Sequence, residues 1–350
     1  MKDIGSIFAL KSKNISSPRK FWSDNKRQYF ALCREVLFQI ATLHQKSNRI
    51  ALLPAYTCAT VSYPFEQLGW KIEYYAIKRN LRIDNVDLSC KIKKNRPAIV
   101  LAHPYYGQDF NAEEIECLQI AKEKYHSTLI VDVTQCYYSK QRLAFVDYYV
   151  GSLYKWFPIV DGGFVESKFA LPAPKEEYVS YVSLQQEAMY LRSIYLGSED
   201  DYIKTISRRI NKDAVAISNG VLSCHKMSDI SQKLMSQIEE SEAERQRLEN
   251  YSYIAEYTKW RDGIRMVINK NKVTSAPLYF PIYCENSGKM QRVLADSHIY
   301  APLLWSLYSE QMLVNNDVKW IYEHILALPI DQRYNEEDMK RIVETINVYE

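Results

Sequence analysis

Glycine is scarce in this chain, with 10 in 350 residues against a usual share of about 7%. That scarcity excludes collagen-like repeats and glycine-rich linkers. The seven cysteines, at 33, 58, 90, 117, 136, 224 and 284, form no CxxC pair. Such a dispersed, odd set argues against a disulfide framework or zinc knuckle and for reduced thiols. The six histidines show no HExxH and no other ligand spacing, so no metal is expected. No run approaches the roughly 18 apolar residues of a membrane span, and "MKDIGSIFALKSKN" has no signal-peptide core. We therefore expect a cytoplasmic protein that does not engage a membrane. Charge of one sign is missing too: 45 basic against 42 acidic residues leave +3, which gives nucleic acid no basic footprint. The 28 tyrosines are scattered, with none of the basic–aromatic interleaving that binds single strands.

What is present is ordinary globular composition, 47% apolar and 25% charged, long enough for one large core or two domains. "YFALCREVLFQIATLH" (29–44) carries Leu32, Val36, Ile40 and Leu43 at helical spacing. "IALLP" (50–54), "KIEYYAI" (71–77) and "AIVLAH" (98–103) read as strands. In "NAEEIECLQIAKEKYH" (111–126), Asn111 and Glu114 resemble a capping box, and "TLIVD" (128–132) follows as another apolar strand. Strand, helix, strand is a βαβ unit, which implies a parallel sheet covered on both faces. Ligands of such sheets gather at the carboxyl ends of the strands, where His103 and Asp132 stand. Residues 175–250 read as mostly helical, with "IEESEAERQRLEN" (238–250) a solvated face. Mixed α/β character returns at 264–350, with "PLYFPIY" (277–283) as a strand and Met339, Ile342, Val343 and Ile346 on one stripe of a last helix.

Three of the ten glycines, 151, 162 and 163, fall in "GSLYKWFPIVDGG" (151–163) around Lys155. They suit backbone that must turn tightly between two strands so that the lysine points inward. A lysine is seldom buried unless paired, but Lys155 follows the apolar "DYYVGS" and lies among Tyr154, Trp156 and Phe157. In an apolar pocket its amine loses basicity and can form a Schiff base. A strand-end aspartate some twenty residues earlier suits pyridoxal phosphate (PLP), with Lys155 holding the aldehyde and Asp132 the pyridine nitrogen. Spacing alone leaves the plainer readings open. Asp132 could cap a loop, His103 could anchor one, Trp156 and Phe157 could be core, and His225 could be a helix-surface group.

"LIVDVTQC" followed by "DYYVGSLYKWFPIVDGGFV" resembles the fold-type I PLP-dependent sugar aminotransferases, the DegT/StrS family. Further segments resemble that family in order: "IGSIFAL" (4–10) its opening strand, "LLPAYTCATVSYPFEQLGWKIEYY" its Pro-x-x-Thr turn, helix and second strand, and "LPIDQRYNEEDMKRIVETI" its closing strand and helix. The resemblance implies an α/β fold, a large PLP-binding domain at 1–240 with a mainly parallel sheet flanked by helices, and a smaller C-terminal α/β domain at 241–350. It implies Lys155 as the Schiff-base lysine, Asp132 as partner of the pyridinium, Gln135 near the 3-hydroxyl, Ser152 on the phosphate, and Thr57 where the chain passes over the ring.

Some positions depart from the family pattern. The phosphate helix usually opens on a small-residue turn, but here the stretch is "SDNKRQYF" (23–30), leaving Arg27 or Lys26 to supply charge. Cys58 stands where many members place a stacking aromatic, so Tyr56 or Tyr105 would substitute. "CHKMSDI" (224–230) replaces an Asn-Tyr-x-Met-like stretch, leaving His225 or Lys226 to reach the phosphate of a second subunit. The implied activity is transfer of an amino group from an amino acid, glutamate or glutamine, to a keto sugar, nucleotide-linked in the family's manner, in surface-polysaccharide or deoxysugar biosynthesis by a homodimer with shared sites. The alternatives are a sugar dehydratase, whose relatives lack the Schiff-base lysine, and a non-catalytic homologue serving as a binding or assembly module.

Overall fold

The computed structural model describes residues 2–10, 27–45 and 48–349. Lys26 and the rest of 11–26, to which part of the expected phosphate stretch belongs, lie outside them. In chain order the first half runs β1 (Ile4–Gly5), β2 (Arg27–Phe30), α1 (Cys33–Leu43), β3 (Ile50–Pro54), α2 (Ala59–Gln67), β4 (Lys71–Tyr75), α3 (Asn85–Asn95), β5 (Ile99–Ala102), α4 (Ala112–Glu123), β6 (Thr128–Asp132), β7 (Tyr148–Ser152) and β8 (Gly163–Ser167). Then follow α5 (Val179–Ser198), α6 (Asp201–Ser218), α7 (Asp229–Met235), α8 (Glu240–Tyr257), β9 (Ile264–Met266), β10 (Phe280–Cys284), α9 (Ser287–Asp296), β11 (Ile299–Tyr300), α10 (Asn316–His324), β12 (Ile325–Leu328) and α11 (Glu336–Asn347). The chain forms two compact units. The first comprises Met1–Gly5, His44–Asp147 and Glu240–Glu350, and the second Ser6–Leu43 and Tyr148–Glu239.

In the first unit β4, β3, β5 and β6 lie side by side, all parallel. The βαβ unit read from the sequence is therefore present. β5 and β6 are buried along nearly their whole length, as parallel strands covered on both faces must be. The register sets Leu52 beside Val100 and Ala102 beside Val131, so the carboxyl ends of β3, β5 and β6 open on one edge. The expected capping box forms at α4: Asn111 Oδ1 accepts from the Glu114 amide at 2.9 Å, and a Glu114 carboxylate oxygen accepts from the Asn111 amide at 2.9 Å. Residues 264–350 add a second sheet, β12-β10-β9, antiparallel throughout. Under it lies a core that includes Phe280, Leu328, Met339, Ile342 and Ile346, the last three from the predicted stripe of α11. β1 pairs with β11 in parallel.

In the second unit β2, β8 and β7 form an antiparallel ladder, with helices α5 and α6 joined at Glu199, a residue at φ 54°.

Several expected boundaries move. The helix read at 29–44 begins at Cys33, because residues 27–30 pair with 163–166 of β8 instead. Only Ile4–Gly5 of the opening segment is strand. The strand read at 277–283 begins at Phe280. The charged run 238–250 is not wholly solvated: Arg247 is 1% exposed, its guanidinium donating to Gln332 Oε1 at 2.9 Å and the Leu278 carbonyl at 3.0 Å. Asn250 is buried beside it and donates to the carbonyls of Ile330, Asp331 and Tyr334. Charged sequence hides burial when a backbone loop supplies the partners.

Candidate active site

The first unit delivers three polar side chains from successive strand ends. Thr57 lies three residues past β3, His103 one past β5, and Asp132 is the last residue of β6. All three are buried. Thr57 Oγ1 and His103 Nε2 are 2.6 Å apart. His103 Nδ1 is 3.8 Å from Asp132 Oδ2, and Asp132 Oδ1 accepts from the Thr134 amide at 2.8 Å. The His103 imidazole thus lies between two other candidate residues, with Nδ1 also 3.5 Å from the Asp132 carbonyl.

Gln135, three residues beyond Asp132, is 4% exposed, and its amide makes no hydrogen bond of good geometry, the Tyr106 hydroxyl being within its reach. A buried amide without well-formed hydrogen bonds costs free energy, so the position suits a polar ligand. A carboxyl group and an amide within one strand-end turn match the edge of a protonated pyridine ring carrying a hydroxyl. The residues present fit PLP at this end.

Tyr56 and Tyr105, the expected substitutes for a stacking aromatic, are committed elsewhere. Both are buried, and their rings lie 5.8 Å apart in a stacked pair. Their hydroxyls donate to the carbonyls of Leu304 and Tyr56. Burial pushes both phenols well above their ordinary pKa, so they act here as neutral donors. Trp305, which no sequence signal singled out, packs against Tyr56 at 4.9 Å and His103 at 6.1 Å. Cys58 is the N-cap of α2 without a side-chain cap bond; its sulfur accepts from Thr60 Oγ1 at 3.1 Å.

The second unit holds Ser152, Lys155, Arg27 and Lys226. Ser152 ends β7 and is buried. Lys155 occupies a short turn closed by the Leu153 amide on the Gly162 carbonyl, 2.8 Å, and the Trp156 amide on the Leu153 carbonyl, 2.8 Å. Trp156 and Phe157 are fully buried and so hold the half-buried lysine between fixed anchors. The glycines around it do two different things. Gly162 has φ +144°, in the region that favours glycine. Gly151 and Gly163 instead permit close approach: a Cβ on Gly151 would meet the Phe164 ring at 2.6 Å, and one on Gly163 would meet Leu32 C and Cys33 N at 2.4 Å. Gly163 therefore lets β8 pass directly beneath the start of α1.

Arg27 does not start a helix. It lies in β2, its Nε 3.3 Å from Glu166 Oε2 and its guanidinium over the Phe164 ring. Lys226 forms backbone bridges with Phe30 and Glu177, and its amine reaches Asp229 at 3.2 Å and Glu177 at 3.5 Å. Those carboxylates raise its pKa, the Asp229 bond first. His225 is not a helix-surface group: Nδ1 lies 2.8 Å from Glu35 Oε1, the His225 amide donates to Glu35 Oε2 at 3.0 Å, and the ring stacks on Tyr178 at 4.2 Å. Burial raises the Glu35 pKa, and the bonds from His225 oppose that rise. Among the described residues no cluster of three or more metal-ligating side chains occurs, and no helix is long and apolar enough to cross a membrane.

No protein-family model matches the chain, and no curated protein matches its sequence. Solved structures do match it in shape. PseC of Helicobacter pylori, an aminotransferase involved in the biosynthesis of pseudoaminic acid, superposes with a TM-score of 0.67 at 12% identity, over 99% of this chain and 98% of that one. The sugar aminotransferase CalS13 of Micromonospora echinospora gives 0.66 at 14% identity, over 92% and 87%. A DegT DnrJ EryC1 StrS aminotransferase from Brucella abortus gives 0.60 at 13% identity, over 91% and 84%. Over nearly its whole length, the chain has the mixed α/β fold of these sugar aminotransferases.

Proposed function

We propose that the protein is a PLP-dependent aminotransferase that moves an amino group from an amino acid to a keto sugar. The observation that carries this reading is the strand-end group of the first unit: a buried Asp132 followed by a buried Gln135, whose amide makes no hydrogen bond of good geometry. When bound, PLP supplies an electron sink and a carrier for the amino group. Asp132 offers its carboxylate to the ring nitrogen, and Gln135 offers its amide to the ring hydroxyl. Lys155 would hold the cofactor's aldehyde carbon through Nζ, and as a free amine it would take a proton from the donor Cα and return one to the ketone carbon of the sugar. Ser152 donates its hydroxyl to the phosphate.

The family resemblance supplies the finer parts of this proposal. These are a nucleotide-linked sugar, glutamate or glutamine as donor, a place in polysaccharide or deoxysugar biosynthesis, a cytoplasmic homodimer with shared sites, and a division at residue 240 into a cofactor-binding part and a smaller one. The presence of Lys155 disfavours the dehydratase reading.

Purified protein titrated with PLP should gain a near-ultraviolet to visible band that borohydride fixes to one peptide. Lys155→Ala should abolish both the trapped adduct and turnover of labelled glutamate with keto sugars. A trapped adduct at another lysine would overturn the assignment.

A further inference from the structure

We infer that Thr57 and His103 form a buried positioning pair that sets the orientation of the Asp132 carboxylate, with the His103 proton held on Nδ1. The pair follows from the register of the sheet. β3, β5 and β6 are neighbours and parallel, so the residues just past their carboxyl ends stand in a row, with His103 between Thr57 and Asp132. Nδ1 of the imidazole faces the Asp132 carbonyl, which can only accept, at 3.5 Å, and lies 3.8 Å from Oδ2 of the same residue. A ring nitrogen turned to acceptors carries the hydrogen, and the other nitrogen then accepts. Nε2 meets Thr57 Oγ1 at 2.6 Å, and a threonine hydroxyl can donate to it. One methyl-bearing side chain thereby selects the tautomer of the histidine.

The surroundings keep this arrangement from drifting. The imidazole lies edge-to-face with Tyr105 at 5.6 Å and against Trp305 at 6.1 Å. The Thr57 amide donates to Tyr322 Oη at 3.3 Å, and that hydroxyl lies 3.0 Å from the Ala55 carbonyl. Asp132 Oδ1 is tied to the Thr134 amide, so rotation of the carboxylate is opposed from both sides. The catalytic importance of the pair rests on the proposed function, where Asp132 must present a carboxylate oxygen to a ring nitrogen. The tautomer itself does not depend on it.

The test begins on protein without added PLP, labelled with nitrogen-15 in its histidines. Two-bond proton–nitrogen spectra distinguish protonated from bare ring nitrogens, and His103→Asn identifies the His103 signals by their loss. We expect Nδ1 protonated and Nε2 bare. Thr57→Val should move the Nε2 resonance toward a tautomer mixture, and Thr57→Ser should restore it. In loaded enzyme His103→Asn should lower kcat about 10–100-fold, the range shown when the outer partner of a liganding group is removed, with the donor KM little changed. A hydrogen on Nε2 in the unmodified protein, or His103 signals indifferent to Thr57→Val, would overturn the pair while leaving PLP uptake intact. Protein that takes up no PLP but shows the expected tautomer would overturn the proposed function and leave the pair standing.

Discussion

The strand ends of the first unit and the helix start of the second were both expected to touch one cofactor, yet their polar groups are in opposite conditions. At the strand ends, capacity is left over: the Gln135 amide makes no hydrogen bond of good geometry. At the start of α1 the groups are matched. The Ala31 amide donates to the His225 carbonyl at 2.8 Å, the Ala31 carbonyl accepts from the Gly162 amide at 2.7 Å, and the Glu35 carboxylate holds His225 through two bonds. Unmet buried groups are tolerated where a ligand completes them, whereas matched ones report structure already finished. The first region is therefore built to receive, and the second to hold the Lys155 turn in place.

The contrast is sharpened most by the substitution expected to have the largest effect on rate. Asp132→Asn keeps the shape but removes a charged acceptor, typically about 1.5–3 kcal/mol, so kcat should fall roughly 10–100-fold while PLP still binds. Unchanged turnover in steady-state assays would move the receiving role elsewhere.

Next comes the helix start. Gly163→Ala would drive a methyl into Leu32 C and Cys33 N, backbone that cannot swing aside, and should cost about 1–3 kcal/mol or more of stability. Gly151→Ala meets the Phe164 ring instead, which has some freedom to shift, so thermal melts should show a smaller loss. Equal melting temperatures for the two would break the claim that the start of α1 is closed.

Asp161 tests the same closure through pH. Its carboxylate is fully buried and accepts from the Ser228 amide and hydroxyl. Burial outweighs those bonds and lifts its pKa from 3.8 to about 6. The folded state therefore keeps this proton longer than the unfolded chain, and this group's contribution to stability falls as pH rises from about 4 to about 6. Asp161→Asn should remove roughly 1–3 kcal/mol of that pH dependence, seen as a flatter plot of melting temperature against pH. The smallest effect belongs to Arg27→Ala. Loss of its pair with Glu166 should cost at most about 1 kcal/mol, and the PLP titration should not change. A clear loss of PLP affinity would identify Arg27 as the phosphate ligand that the sequence suggested.

Legibility in the sequence followed the range of the forces involved. β3, β5 and β6 announced themselves as short apolar runs, and α4 by a capping box four residues wide, because those signals are local. Where a fold turns on a distant partner, the local pattern misleads. Tyr29 and Phe30 read as the first turn of a helix, but Phe164 and Gly163 take them into a ladder. Arg247 reads as solvated until the Leu278 carbonyl, 31 residues on, is in place. His225 meets Glu35 across 190 positions. Asp132 and Gln135 could be found because the resemblance and the strand end coincided. The bridging position of His103 could not, since it depends on the order of strands in the sheet.

The interleaving of the two units has a consequence for how the protein is made. Ile4 of β1 pairs with Ile299 of β11, the Gly5 amide finds the Tyr334 hydroxyl, and Asp3 meets His298 across 295 positions. At about 5–20 residues per second a ribosome takes roughly 15–60 s to cover that gap. For all that time Asp3, Ile4 and Gly5 wait for these partners, and the strands at 50–132 must form their parallel pairs before residues 240–350 of the same unit exist. Such pairs assemble slowly and leave apolar edges open meanwhile. Nascent chains stalled before residue 299 should therefore depend on chaperones in a way that the finished protein does not.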